Sequence, residues 1–91
     1  MELTWWESMG ADPAAAFRRL DTLMHEGRVR RVEVLDNRRT VADFPVDADA
    51  NDIVFASVVH AARAVGQACT ILAELADLEA AHVAGRQTMV P

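Results

Sequence analysis

The sequence predicts a small α+β protein with one domain over residues 1–85 and a flexible tail over 86–91. Three observations predict this fold class. Two segments have apolar residues at helical spacing, β-branched residues cluster between them, and a chain of 91 residues is long enough for only one core. The predicted elements are a short N-terminal helix, a helix over 13–26, a β-hairpin over 28–44 and a long C-terminal amphipathic helix over about 52–84.

The N-terminal helix is predicted from a capping signal. Thr4 and Glu7 have the spacing of a capping box, which indicates a short helix near residues 5–9. Trp5 and Trp6 are adjacent, so on a helix their side chains diverge by about 100°. We therefore expect one of them to pack on the core and the other to lie at an interface. As a pair they are also a candidate binding hot spot, although packing on the core is the more common role.

The second helix has clear start and stop signals. Asp12 supplies an N-cap side chain, and Pro13 suits the first helical turn. Gly27 is typical of the residue that follows a helix. Between them, apolar side chains recur at helical spacing: Phe17, Leu20, Leu23 and Met24.

The hairpin is predicted from β-branched residues and a turn. Asp36 and Asn37 supply turn chemistry between the two strands. If these two residues form the whole loop, Val32 lies opposite Val41. A longer loop places Val34 opposite Val41 instead, and the sequence leaves both registers open.

The second half of the chain has a seven-residue apolar repeat. A stripe of this length on one helix is too large for a chain this short to bury alone, so it predicts a homodimer through that helix. Gly66 is the weakest helix former within it, and a break into two helices at this point stays open. The predicted interface residues are Val54, Val58, Ala61, Val65, Ala68, Leu72 and Leu75.

Part of the chain resembles a known bacterial family. Residues 25–34, which contain the pattern Glu-Gly-x-Val-Arg-Arg, together with 39–41 and 44–46, resemble a family of domains of unknown function, number 4342. The similarity covers roughly residues 14–46. It implies a bacterial origin and a helix followed by two strands, the second ending in proline and a hydrophobic residue. After Pro45 this chain has an acidic run where the family has a glycine-rich apolar segment, and the resemblance implies no activity and no site residues.

The hairpin concentrates the arginines. A helix followed by a basic hairpin is typical of a winged DNA-binding domain, so contact with nucleic acid is the alternative function. The net charge of −5 disfavours this alternative, and solvated arginines paired with nearby acids are the simpler interpretation. The candidate contact residues are Arg28, Arg30, Arg31, Arg38 and Arg39.

The sequence offers few residues for catalysis or metal binding. Cys69 is the single cysteine, which favours a reducing compartment such as the cytoplasm, and it lies among apolar neighbours. His60 has no converging ligands in the sequence. Glu79 and His82 have a spacing found in di-metal helical bundles, but that site needs a second copy and further carboxylates. We therefore predict no catalytic, cofactor-binding or metal residues and no cofactor.

These observations predict a small, non-enzymatic, cytoplasmic protein that acts in protein–protein interaction or regulation. We expect a homodimer and a further, unidentified protein partner. We expect no membrane span, because His60, Arg63 and Gln67 interrupt the most apolar segment.

Overall fold

The computed structural model describes residues 3–10 and 12–77. Over these residues the protein is a small α+β fold with two helices and a four-stranded antiparallel sheet. Short 3-10 turns over Ala48–Ala50 and Gly66–Ala68 flank the second helix. The elements are β1 (Thr4–Met9), α1 (Pro13–His25), β2 (Val29–Asp36), β3 (Arg39–Pro45), α2 (Asn51–Val65) and β4 (Cys69–Ala76).

The sheet has the strand order β1-β4-β2-β3. α1 joins β1 to β2, and β4 lies between those two strands. α2 joins β3 to β4, and β2 lies between them. The topology is therefore two interleaved split β-α-β units, with β1 and β3 at the two edges of the sheet.

One face of the sheet carries the core. Strand pairing places Val32 opposite Ala73 and Val34 opposite Ile71, and opposite residues in antiparallel strands point to the same face. Side chains of both helices join these residues in one cluster, so α1 and α2 cover the same face. The buried members are Met9, Ala16, Leu20, Leu23, Met24, Val29, Val32, Val34, Val58, Ala62, Ile71, Ala73 and Leu75.

The other face of the sheet, which we call the open face, carries a mixture of apolar and charged residues. Pairing places Trp6, Glu74 and Arg31 in one row across three strands. Leu72 and Glu33 lie in the next row. Neither described helix packs on this face.

The start and stop signals of α1 act as the sequence indicates. The Asp12 carboxylate accepts hydrogen bonds from the backbone N–H groups of Ala14 and Ala15, at 3.1 and 3.5 Å. Gly27 follows the helix with a φ of +73°. Glycine adopts this left-handed conformation without steric cost, which lets the chain turn directly into β2.

The predicted N-terminal helix is wrong. Residues Thr4–Met9 form β1, which pairs along its length with β4. Thr4, Trp5 and Trp6 are residue types that favour strands. The side chain of Glu7 bonds to Arg19 and not to the backbone of Thr4, so the capping-box spacing has no structural role.

The predicted long C-terminal helix is also wrong. α2 ends at Val65, and Gly66 adopts φ +82° and ψ −138°, which is outside the helical region. Cys69–Ala76 is strand β4. Residues 78–84 of the predicted helix and the predicted tail over 86–91 lie outside the described residues.

The hairpin forms, but in neither of the two expected registers. The turn residues are Asn37 and Arg38, with φ of +48° and +74°, the left-handed values that a tight type I′ hairpin requires. Val41 is an extra residue, a β-bulge, on β3. As a result Val32 lies opposite Phe44, three residues beyond Val41.

Candidate functional site

β1 is an exposed edge strand. Its six residues pair with β4 on one side, and no other described strand pairs with its second side. The outer N–H and C=O groups of an edge strand are a template for pairing with another chain. β1 is therefore a candidate interaction surface.

Two half-exposed tryptophans flank this edge. Trp5 lies opposite the buried Leu75 and so points to the helix side, whereas Trp6 lies opposite Glu74 and points to the open face. Their exposed fractions are 41% and 44%. The expectation that one of them would pack on the core is wrong, because Trp5 lies on the helix side of the sheet but at its outer edge, where it stays 41% exposed.

The ring of Trp5 lies against the guanidinium group of Arg28. The guanidinium carbon of Arg28 lies 5.6 Å from the centroid of the Trp5 ring, which is within the range of a cation–π contact. A nitrogen of the same guanidinium lies 3.6 Å from a carboxylate oxygen of Glu26. Arg28 thereby orients the ring at the edge of the sheet.

Glu7 is the only charged residue of β1, and α1 neutralises it. Nε and Nη2 of Arg19 donate to the two carboxylate oxygens of Glu7 at 2.9 and 3.0 Å. These hydrogen bonds lower the pKa of Glu7 and raise the pKa of Arg19. The edge therefore presents no uncompensated charge to an approaching strand.

The Glu7–Arg19 pair predicts a pH-dependent contribution to stability. A lowered carboxylate pKa means a contribution that is complete above the ordinary pKa of glutamate and is lost as the pH falls through the lowered value. We expect Glu7→Gln to reduce the free energy of unfolding by about 0.2–1 kcal/mol at neutral pH, as for other exposed pairs. Once the pH is below the lowered pKa of Glu7, the wild type and the variant should be equally stable. Urea unfolding at several pH values measures this, and Arg19→Gln, which breaks the same pair, should show the same pH dependence. A difference that does not change with pH would contradict the prediction.

The opposite edge of the sheet is protected against pairing. β3 contains the bulge at Val41 and ends at Pro45, which has no N–H to donate. It also carries Arg39 and Asp43, and charged side chains discourage edge-to-edge association. The two edges therefore differ, and β1 is the one that can accept another strand.

A cavity of about 620 Å³ lies between α1, the C-terminal end of α2 and the neighbouring ends of β1 and β4. Its apolar wall includes Met9, Phe17, Ala62 and Ile71, and its polar side chains are those of Arg63, Gln67 and Cys69. Partial burial, with a smaller effect of Asp36, raises the pKa of the Cys69 thiol. The thiol is therefore protonated at neutral pH and is a weak nucleophile.

The structure separates the residues of the predicted dimer stripe. Four lie on α2 (Val54, Val58, Ala61, Val65), Ala68 lies in the turn that follows, and Leu72 and Leu75 lie on β4. Val58 and Leu75 are buried in the core of the single chain. Leu72 and Leu75 point to opposite faces of the sheet, so the seven residues do not form one surface.

The arginines are spread around the hairpin. Arg31 bonds to Asp43 at 2.8 Å, and Arg30 donates to the backbone carbonyl of Gly27 at 2.7 Å. Arg28 contacts Trp5, as described above, and Arg38 and Arg39 lie at the turn. β2 pairs with β4 on its other side, so the hairpin is part of the main sheet and does not project as a wing.

Three further findings bear on the site. No group of three or more His, Cys, Asp or Glu side chains placed to hold a metal occurs within residues 3–10 and 12–77. Glu79 and His82 lie outside these ranges. Neither of the two helices described is long and apolar enough to cross a membrane.

Comparisons of the chain with protein-family models, with curated proteins and with solved structures find no match. The resemblance of residues 14–46 to family 4342 therefore stays a prediction. The candidate function rests on the site alone.

Proposed function

We propose that this protein is a small interaction protein that forms a homodimer by pairing the β1 strands of two copies. The observation that carries the proposal is a six-residue edge strand whose outer side pairs with no strand in the described part of the chain and which is flanked by two half-exposed tryptophans. Antiparallel pairing around a two-fold axis would join the two sheets into one and would satisfy the outer backbone groups of both β1 strands.

The side chains of β1 favour one register for this pairing. With the two-fold axis at Trp6, the two Trp6 rings lie opposite each other on the open face, and Thr4 lies opposite Ser8 of the second copy. Aromatic pairs directly opposite each other stabilise antiparallel strands. An axis at Glu7 would instead place two carboxylates opposite each other, which is unfavourable. We therefore propose the register centred on Trp6, with the helices of both copies on the same side of the joined sheet.

This dimer replaces the helix-mediated dimer that the sequence suggested. The joined open faces would form a wide surface with apolar and charged rows, which suits contact with a further protein. We propose that such a dimer acts in interaction or regulation. The single cysteine, Cys69, supports placing the protein in the cytoplasm.

The variant Trp6→Lys tests the dimer. Lysine at this position places two like charges opposite each other, which is how natural edge strands avoid pairing. Size-exclusion chromatography with light scattering should show twice the 10.0 kDa chain mass for the wild type and the chain mass for the variant. We expect the dissociation constant to rise by at least about tenfold, or about 1.4 kcal/mol.

Val41→Lys is the matched control. Val41 is 50% exposed on the protected edge strand β3. Its substitution therefore also places a lysine on an edge strand, but leaves β1 unaltered. This variant should remain a dimer. A wild type that is monomeric at about 0.1 mM, a Trp6→Lys variant that stays dimeric, or a Val41→Lys variant that dissociates would each contradict the proposal.

A further inference from the structure

We propose that the cavity between α1 and the C-terminal end of α2 binds a small organic carboxylate with an apolar tail, and that Arg63 holds the carboxylate. This site is separate from the dimer contact proposed above. It follows from the size, the wall and the charge of the cavity.

The wall of the cavity suits the tail of such a ligand. The volume of about 620 Å³ lies within the range of about 300–1,000 Å³ that is usual for small-molecule sites. Phe17 of α1, Ala62 of α2 and Ile71 of β4 contribute apolar surface from three sides. Such a wall favours an alkyl or aromatic group over a fully polar ligand.

The charge of the cavity suits the head of the ligand. Arg63 is the only charged residue among the described residues that line the cavity. Arg63 forms no ion pair with any residue in the described part of the chain, so its five donors are available to a carboxylate. Gln67, in the short 3-10 turn that follows α2, adds an amide donor to the lining of the cavity.

Cys69 provides a reporter inside the cavity. It is the only cysteine of the chain, and its side chain is partly exposed among the lining residues. A ligand that occupies the cavity covers the thiol. The rate at which a thiol reagent modifies the protein therefore measures occupancy without any assumption about activity.

The test measures the reaction of Cys69 with dithiobis(nitrobenzoate) at mildly alkaline pH, with increasing concentrations of octanoate. Octanoate should slow the reaction to saturation. Octylammonium has the same tail with the opposite charge and should protect much less, and acetate, which lacks the tail, should not protect. Equal protection by octanoate and octylammonium would overturn the proposal, as would an absence of protection by octanoate up to about 10 mM.

Variants locate the site. Arg63→Gln removes the charge at an exposed position and should weaken protection by octanoate about tenfold or more, with an unchanged melting temperature. Ala14→Phe places a ring at the mouth of the cavity and should abolish protection, whereas Ala15→Phe, the adjacent exposed residue outside the cavity, should not. Equal protection in all three variants would overturn the proposal. The dimeric state of the protein does not enter this measurement, and Trp6→Lys should retain protection.

Discussion

Leu20→Ala is expected to remove a large part of the stability of this protein. Leu20 lies on α1, is completely buried and belongs to the cluster that joins the helices to the sheet. Truncating a buried leucine costs about 2–5 kcal/mol, because apolar contact is lost and a cavity remains. A domain of this size loses roughly 4–8 °C of melting temperature for each kcal/mol. Thermal unfolding followed by circular dichroism measures the change.

Ile53→Ala is the matched control for Leu20→Ala. Ile53 is 71% exposed on α2, so the same kind of truncation removes little buried surface. Its effect should lie within about 0.5 kcal/mol. If Leu20→Ala and Ile53→Ala lowered the melting temperature equally, the core described for α1 would be wrong.

Gly66→Ala should destabilise the protein through the backbone alone. At φ +82° and ψ −138° the residue occupies a region that side chains rarely adopt, and such strain costs about 1–3 kcal/mol. A Cβ placed on Gly66 meets no atom within 4 Å, so no clash contributes. Urea unfolding should show a lower midpoint with an unchanged slope.

Gly27 supplies the comparison for Gly66. Its φ of +73° is the left-handed conformation that asparagine tolerates, so Gly27→Asn should cost less than Gly27→Ala. At Gly66, asparagine should be as unfavourable as alanine, because ψ there is far from the left-handed helical value. If Gly66→Ala leaves the stability unchanged, the chain does not turn at this residue as described.

The helix α1 was predictable because its signals are local. Asp12, Pro13 and Gly27 act on backbone groups within a few residues of themselves, and the pattern between them needs no distant partner. The hairpin was predictable as an element, but its register was not. The left-handed conformation of Arg38 and the bulge at Val41 have no distinctive sequence signal.

The strands β1 and β4 were not predictable from local patterns. Leu72 and Leu75 are three residues apart and so continue the helical spacing of α2, but Ile71, Ala73 and Leu75 alternate equally well as one face of a strand. Pairing with β1 and β2 decides between these two structures, and those contacts are distant in the sequence.

The candidate site was not predictable from local sequence patterns either. Trp5 and Trp6 stood out as a potential hot spot, but their position at a sheet edge depends on β1 being a strand. The cavity combines residues from both helices and two strands, so no single segment of sequence indicates it. In the sequence, Arg63 is notable only as a charge that interrupts an apolar segment.

The central position of β4 sets the order in which the protein can be completed as it is synthesised. β4 is the last described strand in the chain, yet it separates β1 from β2 in the sheet. About 60 residues lie between β1 and β4, so a ribosome working at roughly 5–20 residues per second needs about 3–12 s to supply the partner of β1. During that interval β1, with its two tryptophans, lacks β4, its neighbour in the described sheet. Among the described strands β1 therefore waits longest for its pairing partner, and residues 4–9 stay accessible to chaperones throughout that interval.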